Sequence, residues 1–88
     1  MEYFAVLLPM LDEEKSKEWR QDHLDYLKQK AEEGKIFAKG RFTDGTGGLV
    51  IYKGKNLADV EEMVKKDPYV IHEARTYEIH QWEMSLEE

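Results

Sequence analysis

The hydrophobic pattern of the first third of the chain predicts a strand followed by a helix. Residues 2–8 form a short, almost continuously apolar run that ends at Pro9, as expected of a strand covered on both faces. Between residues 16 and 33, apolar side chains recur every three or four positions, which predicts an amphipathic helix with Ser16 as N-cap and Gly34 as C′ residue. The inner stripe of this helix comprises Trp19, His23, Tyr26, Leu27 and Ala31.

The middle of the chain predicts an antiparallel hairpin. Residues 35–43 alternate with a period of two, the glycine-rich stretch 44–48 interrupts them, and residues 48–52 form a second apolar run. The alternation places Ile36, Ala38 and Gly40 on one face and Phe37, Lys39 and Arg41 on the other.

The last third predicts a second helix and a fourth strand. Asn56 is a candidate N-cap of this helix. The helix stops at Asp67, because Pro68 disfavours helical geometry at the residue before it. Its inner stripe comprises Leu57, Val60, Met63 and Val64. Residues 74–84 alternate again, which predicts a strand.

The resulting order, βαββαβ, predicts an α+β ferredoxin-like sandwich over residues 1–88, a single domain. Its four-stranded antiparallel sheet would carry both helices on one face. If Trp82 and the apolar residues of the central strands point to the other face, a second copy of the chain is the expected cover, so we expect a homodimer.

Charge and cysteine content exclude several classes of protein. Thirteen Lys and Arg against 19 Asp and Glu give a net charge of −6, which argues against binding to nucleic acid or an anionic membrane surface. The chain has no cysteine, which fits a reducing cytoplasm and excludes thiolate chemistry. The longest apolar run, residues 4–8, is too short to span a bilayer.

His23 is the strongest candidate for chemistry, because it lies on the apolar stripe of the first helix, one turn from Trp19 and from Leu27. It could be a buried histidine bonded to a backbone carbonyl, or a general acid or base oriented by a carboxylate. Asp67 and Asp44 are the candidate partners, and spacing alone does not choose between them.

Two other site types are not supported by the sequence. The glycine-rich stretch 44–48 leads into a strand rather than a helix, so it lacks the helix N-terminus of a phosphate-binding loop. His72 and His80, with Glu73 and Glu78, lack metal-ligand spacing. We therefore expect no metal site.

Several short segments along the chain have a distinctive order and spacing: Tyr3–Leu8, His23–Leu27 with Gly34, Ala38–Gly40, Gly47–Gly48, Asp67–Tyr69, and Tyr77–Ile79 with Trp82. In this order and spacing, the chain resembles the YciI-like family of the dimeric α+β barrel group along nearly its whole length. It departs from that family after Gly40, where Arg41 and a short loop stand in place of proline and a longer polar insertion.

The resemblance implies a ferredoxin-like homodimer with a catalytic His–Asp pair, carried over to His23 and Asp67. It also implies cofactor-free proton transfer or elimination on a small, often cyclic or aromatic, organic substrate. Arg41, Asp44 and Tyr69 are the candidate substrate-binding residues, with Arg41 placed to hold a negative charge at the rim. The alternatives are a dimeric, non-catalytic module that binds a small metabolite or assists another protein, and a fold retained as an interaction surface.

Overall fold

The computed structural model of the chain describes residues 1–87, and it confirms the predicted ferredoxin-like architecture. The four strands form one antiparallel sheet in the order β2-β3-β1-β4. No helix within residues 1–87 combines the length and the apolar character needed to cross a bilayer. The elements are β1 (Glu2–Pro9), α1 (Glu13–Glu18), α2 (Arg20–Glu32), β2 (Ile36–Arg41), β3 (Gly47–Gly54), α3 (Leu57–Lys65), α4 (Pro68–Ile71) and β4 (Glu78–Trp82).

The helices pack on one face of the sheet and enclose the core. The core side chains come from alternate positions of β1 and β3 and from the inner stripes of α2 and α3, so burial of apolar area holds the two layers together. The central members of the core are Phe4, Val6, Leu8, Val50, Tyr52, Leu27, Val60 and Val64.

The predicted first helix is two helices, which begin earlier and break at Trp19. The N-cap is Asp12, whose carboxylate accepts a hydrogen bond from the backbone N–H of Lys15, so the prediction of Ser16 as N-cap was wrong. Ser16 lies inside α1, is buried, and donates from its hydroxyl to the carbonyl of Ala74 at 3.3 Å. Gly34 adopts a φ of +77°, which confirms it as the residue that ends α2.

The second half of the chain differs from prediction at three places. Asn56 caps α3 as expected, but Leu57 is 51% exposed and does not belong to the inner stripe. Asp67 does not end α3, which stops at Lys65; it is instead the N-cap of an additional short helix, α4. The fourth strand covers only residues 78–82, shorter than the alternation at residues 74–84 suggested.

A β-bulge between Ile36 and Ala38 reverses the facing of the second half of β2. Ile36 lies opposite Tyr52 and packs on the core, whereas Ala38 lies opposite Ile51, one residue out of simple alternation. Lys39 and Arg41 consequently share a face with the core residues of β3. The prediction that Ile36, Ala38 and Gly40 share one face was therefore wrong, because a bulge leaves the period-two sequence pattern unchanged.

Candidate functional site

The structure brings His23 and Asp67 together from elements that are far apart in the sequence. The Nδ1 atom of His23 lies 2.8 Å from Asp67 Oδ1 and 2.9 Å from Asp67 Oδ2, so one ring nitrogen faces the whole carboxylate. Asp67 is 1% exposed and His23 is 8% exposed. The partner that the sequence left open between Asp67 and Asp44 is thus Asp67.

The local sequence fixes the carboxylate of Asp67 in place. Asp67 is the N-cap of α4, Pro68 begins that helix, and Asp67 Oδ1 accepts a hydrogen bond from the backbone N–H of Tyr69 at 2.9 Å. Because the same oxygen also meets His23, the cap that starts the helix sets the position of the group that holds the imidazole.

Tyr69 and Arg75 extend this pair into a stack of planar groups. The Tyr69 ring lies nearly parallel to the His23 ring, with 3.9 Å between centroids, and the Arg75 guanidinium lies 4.4 Å from the same Tyr69 centroid. Burial raises the pKa of the Tyr69 phenol above its ordinary value, and the positive charges of Arg75 and Arg20 partly offset that rise. Tyr69 is therefore a neutral hydroxyl at physiological pH.

A cavity of about 430 Å³ opens beside these residues, between the helices and the sheet. His23, Tyr69 and Arg41 line it, whereas Asp67 lies behind His23 and does not. Since Asp67 occupies Nδ1, the Nε2 atom is the ring nitrogen that remains for a molecule in the cavity. A group held on one side by a carboxylate and open on the other can accept and return a proton.

Asp44 lies apart from this cavity, in the loop between β2 and β3. Its carboxylate accepts hydrogen bonds from the Thr46 hydroxyl at 2.7 Å and from the Thr46 backbone N–H at 3.0 Å. These bonds lower the pKa of Asp44 below its ordinary value. The carboxylate therefore organises the turn of the loop, and the neighbouring Gly45 is the loop residue that lines the cavity.

Sequence reasoning missed Ser16 and Arg75, which also line the cavity. Arg75 donates from Nε to the Ser16 hydroxyl at 3.1 Å and from an Nη atom to the Leu8 carbonyl at 3.4 Å. The assignment of residues 74–84 to one strand hid Arg75 among alternating side chains. Within residues 1–87, no three metal-ligating side chains are grouped to hold a metal ion.

Comparison with known proteins agrees with this architecture. No curated protein sequence matches the chain. The solved structure of 5-chloro-2-hydroxyhydroquinone dehydrochlorinase (TftG) from Burkholderia phenoliruptrix AC1100, in complex with 2,5-dihydroxybenzoquinone, matches with a TM-score of 0.79 and 18% identity, over 94% of this chain and 95% of that one. That likeness shows a shared fold. Residues 1–83 match the YCII-related domain, and the chain accordingly belongs to that family.

Proposed function

We propose that this protein is a small enzyme in which His23 transfers a proton to or from an organic substrate bound in the cavity. One observation carries the proposal: the His23 ring is bonded at Nδ1 by the buried Asp67 carboxylate while the same side chain lines an open cavity. A histidine with only a structural role has no need of a cavity at its other edge.

In the proposed step, the two residues of the His23–Asp67 pair have different roles. Nε2 of His23 removes a proton from the substrate, and Asp67 orients the ring and stabilises the positive charge that develops on it. In an isomerisation, the electron pair left on the substrate shifts an existing double bond, and His23 returns the proton to a different carbon. In an elimination, the electron pair forms a new double bond while a leaving group departs with its bonding electrons. The neutral Tyr69 hydroxyl is a candidate to stabilise negative charge that develops on the substrate, and Arg41 is a candidate to bind the substrate.

The shape of the cavity and the fold comparison support a small cyclic or aromatic substrate. A volume of about 430 Å³ is in the range of small-molecule sites and accommodates a substituted ring. The structural neighbour with the same fold is named a dehydrochlorinase and was solved in complex with 2,5-dihydroxybenzoquinone, a cyclic ligand. All groups needed for the step belong to this chain, so the proposal requires no cofactor.

The test is turnover by His23→Gln and Asp67→Asn on a panel of hydroxylated and halogenated hydroquinones, hydroxylated aromatics and lactones. We expect kcat/KM to fall about 10²- to 10⁴-fold in each variant, the usual contribution of a positioned acid–base group. His80→Gln is the matched control, because His80 is an exposed histidine beside Glu78, away from the cavity.

Equal activity of His23→Gln and the unmodified protein on an accepted substrate would remove the mechanism. Binding of panel members without any turnover by the unmodified protein would instead favour a metabolite-binding module.

We further propose that the protein works as a homodimer in the cytoplasm. The face of the sheet opposite the helices carries Tyr3, Leu7, Ile51 and Trp82. Trp82 is 44% exposed, Tyr3 and Leu7 are partly exposed, and Ile51 is already buried, so a second copy would remove mainly the surface of the first three side chains from water. The absence of cysteine supports a reducing compartment.

A further inference from the structure

The cavity is lined by positive charge although the protein as a whole is acidic. Among residues 1–87, five cationic side chains line it against one acidic side chain, Glu13, whereas the whole chain has 13 basic and 19 acidic residues. Charges of one sign around a cleft of low dielectric concentrate ions of the opposite sign. The cationic residues are Lys17, Arg20, Lys39, Arg41 and Arg75.

The bulge in β2 is the backbone feature that supplies two of these cations. Lys39 lies opposite Val50 and Arg41 lies opposite Gly48, so both side chains leave the sheet on the face that the helices cover. With an unbroken period of two from Ile36, both would point to the opposite face. Bulges next to functional sites commonly redirect side chains in this way.

Arg75 is the cation that the structure holds most firmly. Its guanidinium lies over the Tyr69 ring and donates hydrogen bonds to Ser16 and to the Leu8 carbonyl, which restricts its orientation. These two bonds leave further N–H donors of the planar group for an acceptor in the cavity. A guanidinium fixed in advance loses little side-chain entropy when an anion binds.

Arg41 and Arg75 also line a second cavity, of about 220 Å³, which adjoins the first. The two cavities share these two arginines together with Met10 and Gly45, so Arg41 and Arg75 stand where the cavities meet. Resting on the proposed function, we propose that the substrate is an organic anion whose acidic group, a carboxylate or an ionised enol or phenol, binds between Arg41 and Arg75. Its ring then extends toward Tyr69 and His23.

This arrangement assigns separate tasks to the two ends of the substrate. The arginines bind a charge that is present before and after the reaction, so their contribution is to affinity and orientation. His23 acts on the far end, where the proton moves. Loss of an arginine should therefore affect ligand binding even in a variant that cannot catalyse the reaction.

The test measures binding without turnover, with salicylate and its neutral amide, salicylamide, as matched ligands. In His23→Gln, we expect salicylate to bind at least 10-fold more tightly than salicylamide in calorimetric titration. We expect added salt to weaken the binding of salicylate but not that of salicylamide. Arg41→Gln and Arg75→Met, each added to His23→Gln, should each reduce salicylate affinity about 10-fold or more. Lys55→Gln is the control, because it removes the same single positive charge from a residue that is exposed and lines neither cavity.

Arg41 is exposed, so Arg41→Gln keeps the test decisive even if Arg75→Met fails to fold. Equal affinity for salicylate and salicylamide, arginine variants that match Lys55→Gln, or no binding of salicylate, benzoate or phthalate at millimolar concentration would each overturn the inference. Anion binding that depends on both arginines, in a protein with no turnover, would support this inference while refuting the proposed reaction. Turnover that needs His23 but not the arginines would do the reverse.

Discussion

The helix-covered face of the sheet has two ends, which differ in the size of the side chains that pair between β1 and β3. At one end, Phe4 pairs with Tyr52 and Val6 pairs with Val50, so large side chains fill the space beneath the helices. At the other end, Leu8 pairs with Gly48, which has no side chain, and the cavity lies there. The same two strands thus build a dense core and an open site, and the difference is set by side-chain volume.

The two ends are also stabilised differently. The packed end depends on burial of apolar area, whereas the cavity end has buried polar groups with hydrogen-bond partners. His23 bonds with Asp67, and Ser16 bonds with Arg75 and with the Ala74 carbonyl. A buried hydrogen-bonded group contributes little net stability but costs much when it loses its partner. Substitutions at the two ends should therefore differ in how much they lower the free energy of unfolding and in how that loss depends on pH.

The largest effect on stability is expected at the packed end. Phe4→Ala should lower the free energy of unfolding by about 3–5 kcal/mol, because it removes a fully buried ring and leaves a closed void. Leu8→Ala should cost only about 2 kcal/mol, the lower end of the usual range, because the space it leaves joins a cavity that is already open. Urea denaturation measures both, and equal losses would show that the cavity end is packed as tightly as the other.

A smaller effect is expected from removal of the buried carboxylate. Asp67→Ala leaves His23 Nδ1 and the Tyr69 N–H without their partner, which should cost about 1–3 kcal/mol. Asp67→Asn retains a carbonyl oxygen for the Tyr69 N–H and should cost less. A stability of Asp67→Ala equal to that of the unmodified protein would mean that the pair and the cap contribute nothing to folding.

The fold could be predicted from the sequence because its signals are local and repeated. The apolar run of residues 2–8, the glycine at position 34 and the capping Asn56 each report on their own neighbourhood, and the observed elements follow them. The ends of elements were less predictable. Asp12 and Ser16 are both residue types that favour N-caps. Asp12 caps α1, and the Ser16 hydroxyl instead bonds with the Ala74 carbonyl, a contact that no local pattern contains.

The candidate site was predictable in part for the same reason. His23 could be identified because it interrupts an apolar stripe. The chain context of the aspartates reduced the candidate partners of His23 to two. The bulge that turns Arg41 into the cavity and the contacts that hold Arg75 arise between strands and helices, so the order of residues does not report them.

Alkaline pH should reveal a further, smaller effect at Tyr26, a partly buried residue of α2 that packs against the core. Burial, and next the charge of Asp67, raise the pKa of Tyr26 from the usual value near 10 to about 12. The unfolded chain loses this proton first, so stability should fall as pH rises through that interval, and be unaffected below it. Tyr26→Phe should remove the part of this loss of stability that comes from Tyr26, about 1 kcal/mol after allowance for solvent screening.

Denaturant titrations at pH 9, 10 and 11 on both proteins give the comparison. Phe4→Ala is a suitable reference, because its loss of stability is apolar and should stay constant over the same range. Parallel curves for Tyr26→Phe and the unmodified protein would show that the Tyr26 hydroxyl, which donates to the Met63 carbonyl at 2.6 Å, is not held in its neutral form.

The smallest effect on the folding of a single chain is expected on the open face of the sheet. Trp82 is 44% exposed at the edge strand, so Trp82→Glu should change the stability of one chain by no more than about 0.5 kcal/mol. If a second copy covers this face, however, the new charge would be buried against apolar side chains and association should fail. We therefore expect sedimentation to give a dimer for the unmodified protein and a monomer for Trp82→Glu.

Ile71→Glu is the matched control for that experiment. Ile71 is 57% exposed on α4, which belongs to the helix layer rather than to the open face, and the substitution adds the same charge. It should leave the dimer intact, because its surface is not the one that a second copy would cover. Dissociation by both variants would attribute the effect to net charge, and a monomeric unmodified protein would mean that the apolar open face is stable in water without a partner.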